Sequence, residues 1–219
     1  EVEGSVLCWR SGVHLWQGQW TRALQDAVAA QAVAQRVRSL YLYGMSRGLG
    51  AYAEWQIDPG PRPLKNLLDA AAWLESRDKG LFGSLLQGWL AEAYTAGGRA
   101  AEARHHAARA LARVRHGDWL GAAMASRAMV RLCTAREDWR GAERHLARAE
   151  RVARRRDSAH ETAANLACRA ELWLARDRID EARVAADEAR DAFQRLGMDW
   201  HRARLASLRV RLGLGDGAG

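Results

Sequence analysis

The chain repeats itself, and the repeat limits what it can fold into. Apolar segments recur about every 40 residues, and three copies align. In the first, Leu90, Ala91 and Tyr94 precede Gly98, followed by Ala103, Ala107, Ala110 and Leu111. In the second, Met129, Val130 and Cys133 precede Trp139, followed by Ala142, Leu146 and Ala149. The third runs Arg169, Ala170, Trp173, Ile179, Ala182, Ala186 and Ala189. Within each copy the apolar positions fall three and four apart, as in Ala182, Ala186, Ala189, Phe193 and Leu196, which is one face of an α-helix. Each copy is therefore two helices. Small Ala residues let the backbones approach closely, while aromatic and Leu positions fill the space between neighbouring pairs.

The punctuation agrees. Residues 96–98, 136–138 and 176–178 each separate two periodic segments by about three residues, the spacing of an antiparallel helix hairpin. Asp118, Asp138, Ser158 and Asp199 stand where N-caps belong. Carried backwards, the register predicts helices over 2–16 and 19–37, then 39–56 and 64–76. The latter two are joined across 57–63 by a long, stiff turn that holds all three prolines. A last helix over 199–212 has no partner, so the apolar face of Leu205, Leu208 and Leu212 is expected to need cover. The expected architecture is all-α: five helix pairs plus one helix in a single stacked domain over 1–213, with a flexible Gly-rich tail at 214–219.

Composition narrows the function classes. The 48% hydrophobic and 27% charged content, with only 3 prolines, excludes a disordered or β-rich chain. Cys8, Cys133 and Cys168 form no CxxC pair, which disfavours a disulfide framework or a zinc knuckle and fits a reducing cytoplasm. The longest apolar stretch, Gly80 to Ala91, is too short for a membrane span. A start at Glu1 and a Gly-rich close at 213–219 are those expected of a piece of a longer protein. The net charge of +8 invites a nucleic-acid reading. However, Lys65 and Lys79 are the only lysines, and an Arg bias also follows from high-GC coding. The basic run Arg148, Arg151, Arg154, Arg155 and Arg156 lacks the interleaved aromatics of base stacking and suits a helix C-terminus.

A small residue, an aromatic three later, a turn, then Ala every three or four resembles the tetratricopeptide repeat, here with a period nearer 40 than 34. Such stretched copies look like the C-terminal sensor arrays of bacterial multidomain regulators. These include ATP-dependent LuxR-type transcription activators of the maltotriose-sensing kind, and related cyclases or kinases with a nucleotide-switch domain. The segment from Phe193 to Arg204 is similar to segments seen there. Arg169 and Cys133, where leucine and tyrosine are typical, and the proline turn depart from the pattern. The resemblance implies a right-handed α-α superhelix whose first helices line a concave surface. It places Arg47, Glu54, Glu92, Arg127, Arg131 and Glu171 on that surface, with Trp55 at its edge.

Those residues are expected to bind a protein, a peptide or a regulatory small ligand without catalysis and without a cofactor. Arg127 and Arg131 share a helix face and can hold a carboxylate or phosphate bidentately, unless the face is simply solvated. Trp20, Trp89, Trp139 and Trp173 fall on packing positions and read as core rather than as an aromatic cage; Trp16 and Trp55 stay open. His105, His106 and His145 lack a carboxylate or thiol at ligand spacing and read as surface histidines rather than a metal site. Phosphate-loop, dinucleotide, HExxH and GxSxG motifs are absent, and a solenoid is expected to lack a closed, water-excluding pocket. Two alternatives remain: a freestanding scaffold that homodimerises through its last helix, and an arginine-rich nucleic-acid binder.

Overall fold

The computed structural model describes residues 1–77 and 82–214. The Gly80 end of the apolar stretch, and all of the expected tail except Leu214, lie outside the described residues. Among those described the chain is all-helical: α1 (Val2–Gln17), α2 (Trp20–Arg36), α3 (Leu40–Ile57), α4 (Pro61–Glu75), α5 (Gly83–Ala96), α6 (Ala100–Ala112), α7 (Ala122–Thr134), α8 (Trp139–Arg155), α9 (Ala159–Ala175), α10 (Ile179–Arg195) and α11 (Asp199–Arg211). Consecutive helices pack as hairpins, and α1 also packs on α3, α5 on α7 and α7 on α9. This layering of pairs is compatible with an α-α superhelix. Among the described residues no helix is long and apolar enough to cross a membrane.

Four of the five hairpins turn by the same device. Gly18, Gly98, Glu137 and Asp177 take left-handed φ values of 75°, 70°, 58° and 59°. The next amide in each case donates back to a carbonyl five residues earlier: Gln19 to His14, Arg99 to Tyr94, Asp138 to Cys133 and Arg178 to Trp173, at 2.8 to 3.0 Å. These are the closing bonds of a Schellman motif, which satisfy carbonyls the helix end leaves unpaired. The proline hairpin is the exception. Its second helix begins at Pro61 rather than at residue 64, because a ring nitrogen without a hydrogen loses nothing in the first turn, where amides have no helical partner.

The caps were only partly legible. Asp138 accepts from the Gly141 amide at 2.9 Å, and Ser158 stands at the N-cap of α9 but turns its hydroxyl to His160. Asp199 lies inside α11, whose cap is Met198. Asp118 caps a different helix from the one expected: it accepts from the Ser84 amide at 2.8 Å and from the Ser84 hydroxyl, at the start of α5, with Arg113 at 3.0 Å. Gly121 completes this node. A Cβ there would lie 1.8 Å from the Ser84 carbonyl oxygen, so only glycine admits the approach of α7 to α5.

The core changes character along the chain. From α1 to α5 one cluster is filled by large side chains, among them Trp20, Tyr52, Trp55, Leu86, Trp89 and Leu90. Through the middle, helices touch through Ala91, Ala107, Ala110, Ala125 and Ala128. At the C-terminal end Leu205, Leu208 and Leu212 are buried against Ala182, Ala189 and Phe193, with Leu214 packed beside them. The apolar face of α11 is therefore covered by α10 of the same chain. The basic run is partly committed as well: Arg155 lies 4.5 Å over the Trp119 ring and Arg156 donates to the Leu120 carbonyl at 3.5 Å.

Candidate functional site

Two sequence-distant parts of the chain meet. The turn between α1 and α2 lies against the start of α11, where a Cβ on Gly18 would fall 2.6 Å from that of Trp200. Trp20 meets the Trp200 ring edge-on at 4.9 Å, and Trp16 stacks on His160 of α9 at 4.6 Å. This contact bends the inner surface of the helix stack around a cavity of about 310 Å³. The cavity is not sealed from solvent; it arises because bulky residues of α1 and α2 bridge to α9 and α11.

Every odd-numbered helix contributes to the lining. α1 gives Leu15 and Trp16, α3 Tyr52 and Gln56, α5 Trp89 and Glu92, and α7 Met124, Arg127 and Arg131. α9 gives His160, Glu161, Ala164, Ala167 and Glu171; α11 gives Trp200, His201, Arg204 and Arg211; Trp20 and Phe193 join them. One register runs through the set. Tyr52, Glu92, Arg131, Glu171 and Arg211 are spaced by 39 or 40 residues and all face the cavity. Residues one repeat apart touch: the Tyr52 hydroxyl donates to Glu92 at 2.5 Å, and Arg131 Nε donates to Glu171 at 2.7 Å.

One wall is aromatic. Tyr52 and Trp89 stack at 4.5 Å with planes 9° apart, and Trp20 stands nearly perpendicular to both Tyr52 and Trp200. Burial raises the Tyr52 phenol well above its ordinary value, helped by the adjacent Glu92 carboxylate. It lowers the His201 imidazole to about 4, so that ring stays neutral near pH 7.

The opposite wall is ionic. Arg127 is buried at 7% exposure, and its Nη1 donates both to Glu161 and, at 2.9 Å, to Asn165. Burial alone would raise the Glu161 carboxyl, but Arg127 and His160 outweigh it and hold the group at about 2. Arg131 grips Glu171 with two nitrogens, at 2.7 and 3.2 Å, and this attraction raises the guanidinium further while depressing the carboxyl against its burial. Trp20 Nε1 and His201 Nε2 are buried without a hydrogen-bond partner.

Of the residues expected on a binding surface, Glu92, Arg127, Arg131 and Glu171 come together here. Arg47 and Glu54 do not: they line a shallow cleft between α2, α3 and α4. Trp55 faces inward, 8% exposed and stacked 6.0 Å from Tyr52, so it belongs to the core. Trp20 and Trp89 are core, as their positions implied, yet one side of each also lines the cavity. His106 is no surface residue. It is buried, its Nδ1 lies 2.7 Å from Gln87 Oε1 and its ring stacks on Tyr94, because an Ala-rich face leaves room for a flat ring. Among the described residues no group of three His, Cys, Asp or Glu gathers at metal-binding range. Tyr52 and Arg211 escaped sequence reasoning although they share the register of Glu92, Arg131 and Glu171, and that register was the signal that would have found them. Compared with protein-family models and with curated proteins, the sequence matches none.

Proposed function

We propose that this chain is a non-enzymatic binding module that takes up a small organic molecule in its central cavity, as the sensor array of a bacterial signalling or transcription regulator. The cavity carries the reading. Its volume of about 310 Å³ suits a compact ligand, whereas a peptide or helix needs an open groove. Concave shape, apolar walls and a few convergent polar groups are the usual features of a ligand site. The carboxylates are each engaged by a neighbour, Glu161 by Arg127, Glu171 by Arg131 and Glu92 by Tyr52, an arrangement that fixes a shape rather than passes a proton. The regulator context rests on the repeat's resemblance to such arrays, and the cytoplasmic setting on the scattered, free cysteines.

A cavity-filling variant tests the site. Ala164 and Ala167 of α9 line the cavity, so Ala164→Trp occupies it with an indole. Aromatic fragments detected by saturation-transfer NMR on the wild type are expected to lose their signal on Ala164→Trp, whose helical circular dichroism is unchanged. Fragments that bind both proteins alike, or no binding fragment at all, would overturn the reading.

A further inference from the structure

We infer that the ligand is a flat aromatic carboxylate, its ring against Trp20 and Trp89 and its acid on the free side of Arg127, with Arg204 at the rim. This deepens the reading of the cavity as a ligand site and rests on it. The aromatic wall supplies the shape: the Tyr52–Trp89 stack and the perpendicular Trp20 and Trp200 leave flat faces at right angles, to which a planar ring fits edge-on or face-on.

The charge requirement comes from the opposite wall. Both hydrogen bonds of Arg127 leave from Nη1, so the N–H groups on Nε and Nη2 of this charged guanidinium have no acceptor among the described residues. A carboxylate, which only accepts, can take both of these side-by-side donors at once. Four arginines line the cavity against three glutamates. Arg204 lies 5.4 Å over the Trp200 ring and makes no ion pair among the described residues. An organic cation finds less: Glu161 and Glu171 are held by arginines, and the remaining glutamate, Glu92, already accepts from Tyr52 and lies in the field of Arg127 and Arg131.

Three probes of one shape and different charge decide the matter: 2-naphthoate, 2-naphthamide and 2-naphthylmethylamine, titrated calorimetrically into the wild-type chain. The naphthoate is expected to bind at least tenfold more tightly than the amide, with the amine weakest. Arg204→Gln, an exposed change that leaves the buried pair intact, is expected to weaken naphthoate severalfold and to leave the amide unaltered. The double variant Arg127→Met/Glu161→Gln, which leaves no unpaired buried charge, is expected to remove the preference for the acid. Equal affinities for naphthoate and amide, or tightest binding of the amine, would overturn the carboxylate while leaving the cavity as a binding site. No binding of the three probes, alongside fragments that still respond to Ala164→Trp, would also sink this inference alone. The absence of any fragment sensitive to that variant removes the ligand site itself.

Discussion

On the α1–α5 side of the cavity, Trp20, Tyr52 and Trp89 are at once wall and core: one face of each ring meets the cavity and the rest packs into a single large apolar cluster. On the α7–α9 side Val130, Leu146, Cys168 and Leu172 form a core of their own, and the wall is a separate layer of long side chains, Arg127, Arg131, Glu161 and Glu171, paired across helices. The same repeat register passes through both sides. The helix stack thus fixes where a side chain points, while residue size decides whether that position also carries the fold. The aromatic wall is expected to be inseparable from stability, and the ionic wall to be replaceable as a unit.

The largest effect should come from the aromatic side. Trp89 is 2% exposed and stacked on Tyr52, so Trp89→Ala removes a wholly buried ring that no neighbour can replace. Equilibrium urea denaturation is expected to show a loss of about 3–5 kcal/mol. A loss below ~1 kcal/mol, the range of surface substitutions, would break the comparison by showing that the ring belongs to the wall alone.

The ionic side is tested by taking the pair apart in two ways. Arg127→Met leaves Glu161 buried with only His160 nearby, at 3.7 Å, and is expected to cost about 3 kcal/mol. Adding Glu161→Gln removes the stranded charge and should recover most of that cost, since isolated buried ion pairs contribute little net stability over neutral replacements. If the double variant is as unstable as the single one, the pair supports the fold as Trp89 does, and the contrast between the walls disappears.

The repeat made the helices and most hairpins legible, because Ala at three- and four-residue spacing and a left-handed turn residue are local signals. The start of α4 was misplaced because Pro61 and Pro63 were read as turn rather than as first-turn helix. The site was legible only where its residues were charged and outside the packing pattern, as with Glu92, Arg127, Arg131 and Glu171. Trp20 and Trp89 were read as core alone because periodicity reports that a residue is buried, not which side of it stays uncovered. Closure of the inner surface depends on Trp16 and Trp20 meeting His160 and Trp200, more than 140 residues away, and nothing local encodes that contact. Glu54 and Arg47 were misplaced for a related reason: their register puts them on α3 but does not say which of its neighbours they face.

The smallest expected effect separates the walls by pH. His201, on the aromatic side, has its imidazole lowered by burial from 6.5 to about 4, so the unfolded chain takes up a proton that the folded chain refuses. Its contribution is complete above pH 6.5 and is lost as pH falls toward 4, with a slope near 1.4 kcal/mol per pH unit for one proton, or about 1 kcal/mol between pH 6.5 and 5.5. His106 acts in the same direction, lowered to about 4 by burial and by the neighbouring His105 and Arg109. Glu161, on the ionic side, behaves differently. Its carboxyl is depressed from 4.5 to about 2, so its contribution is intact above pH 4.5 and is lost only below that. Denaturation midpoints measured from pH 7.5 to 3.5 should therefore decline in two stages. His201→Phe, which keeps a flat ring beside Phe193, is expected to shallow the first stage by about one proton and to leave the second unchanged. An unaltered first stage would mean that His201 is protonated as readily folded as unfolded, and that water reaches the aromatic wall as freely as the ionic one.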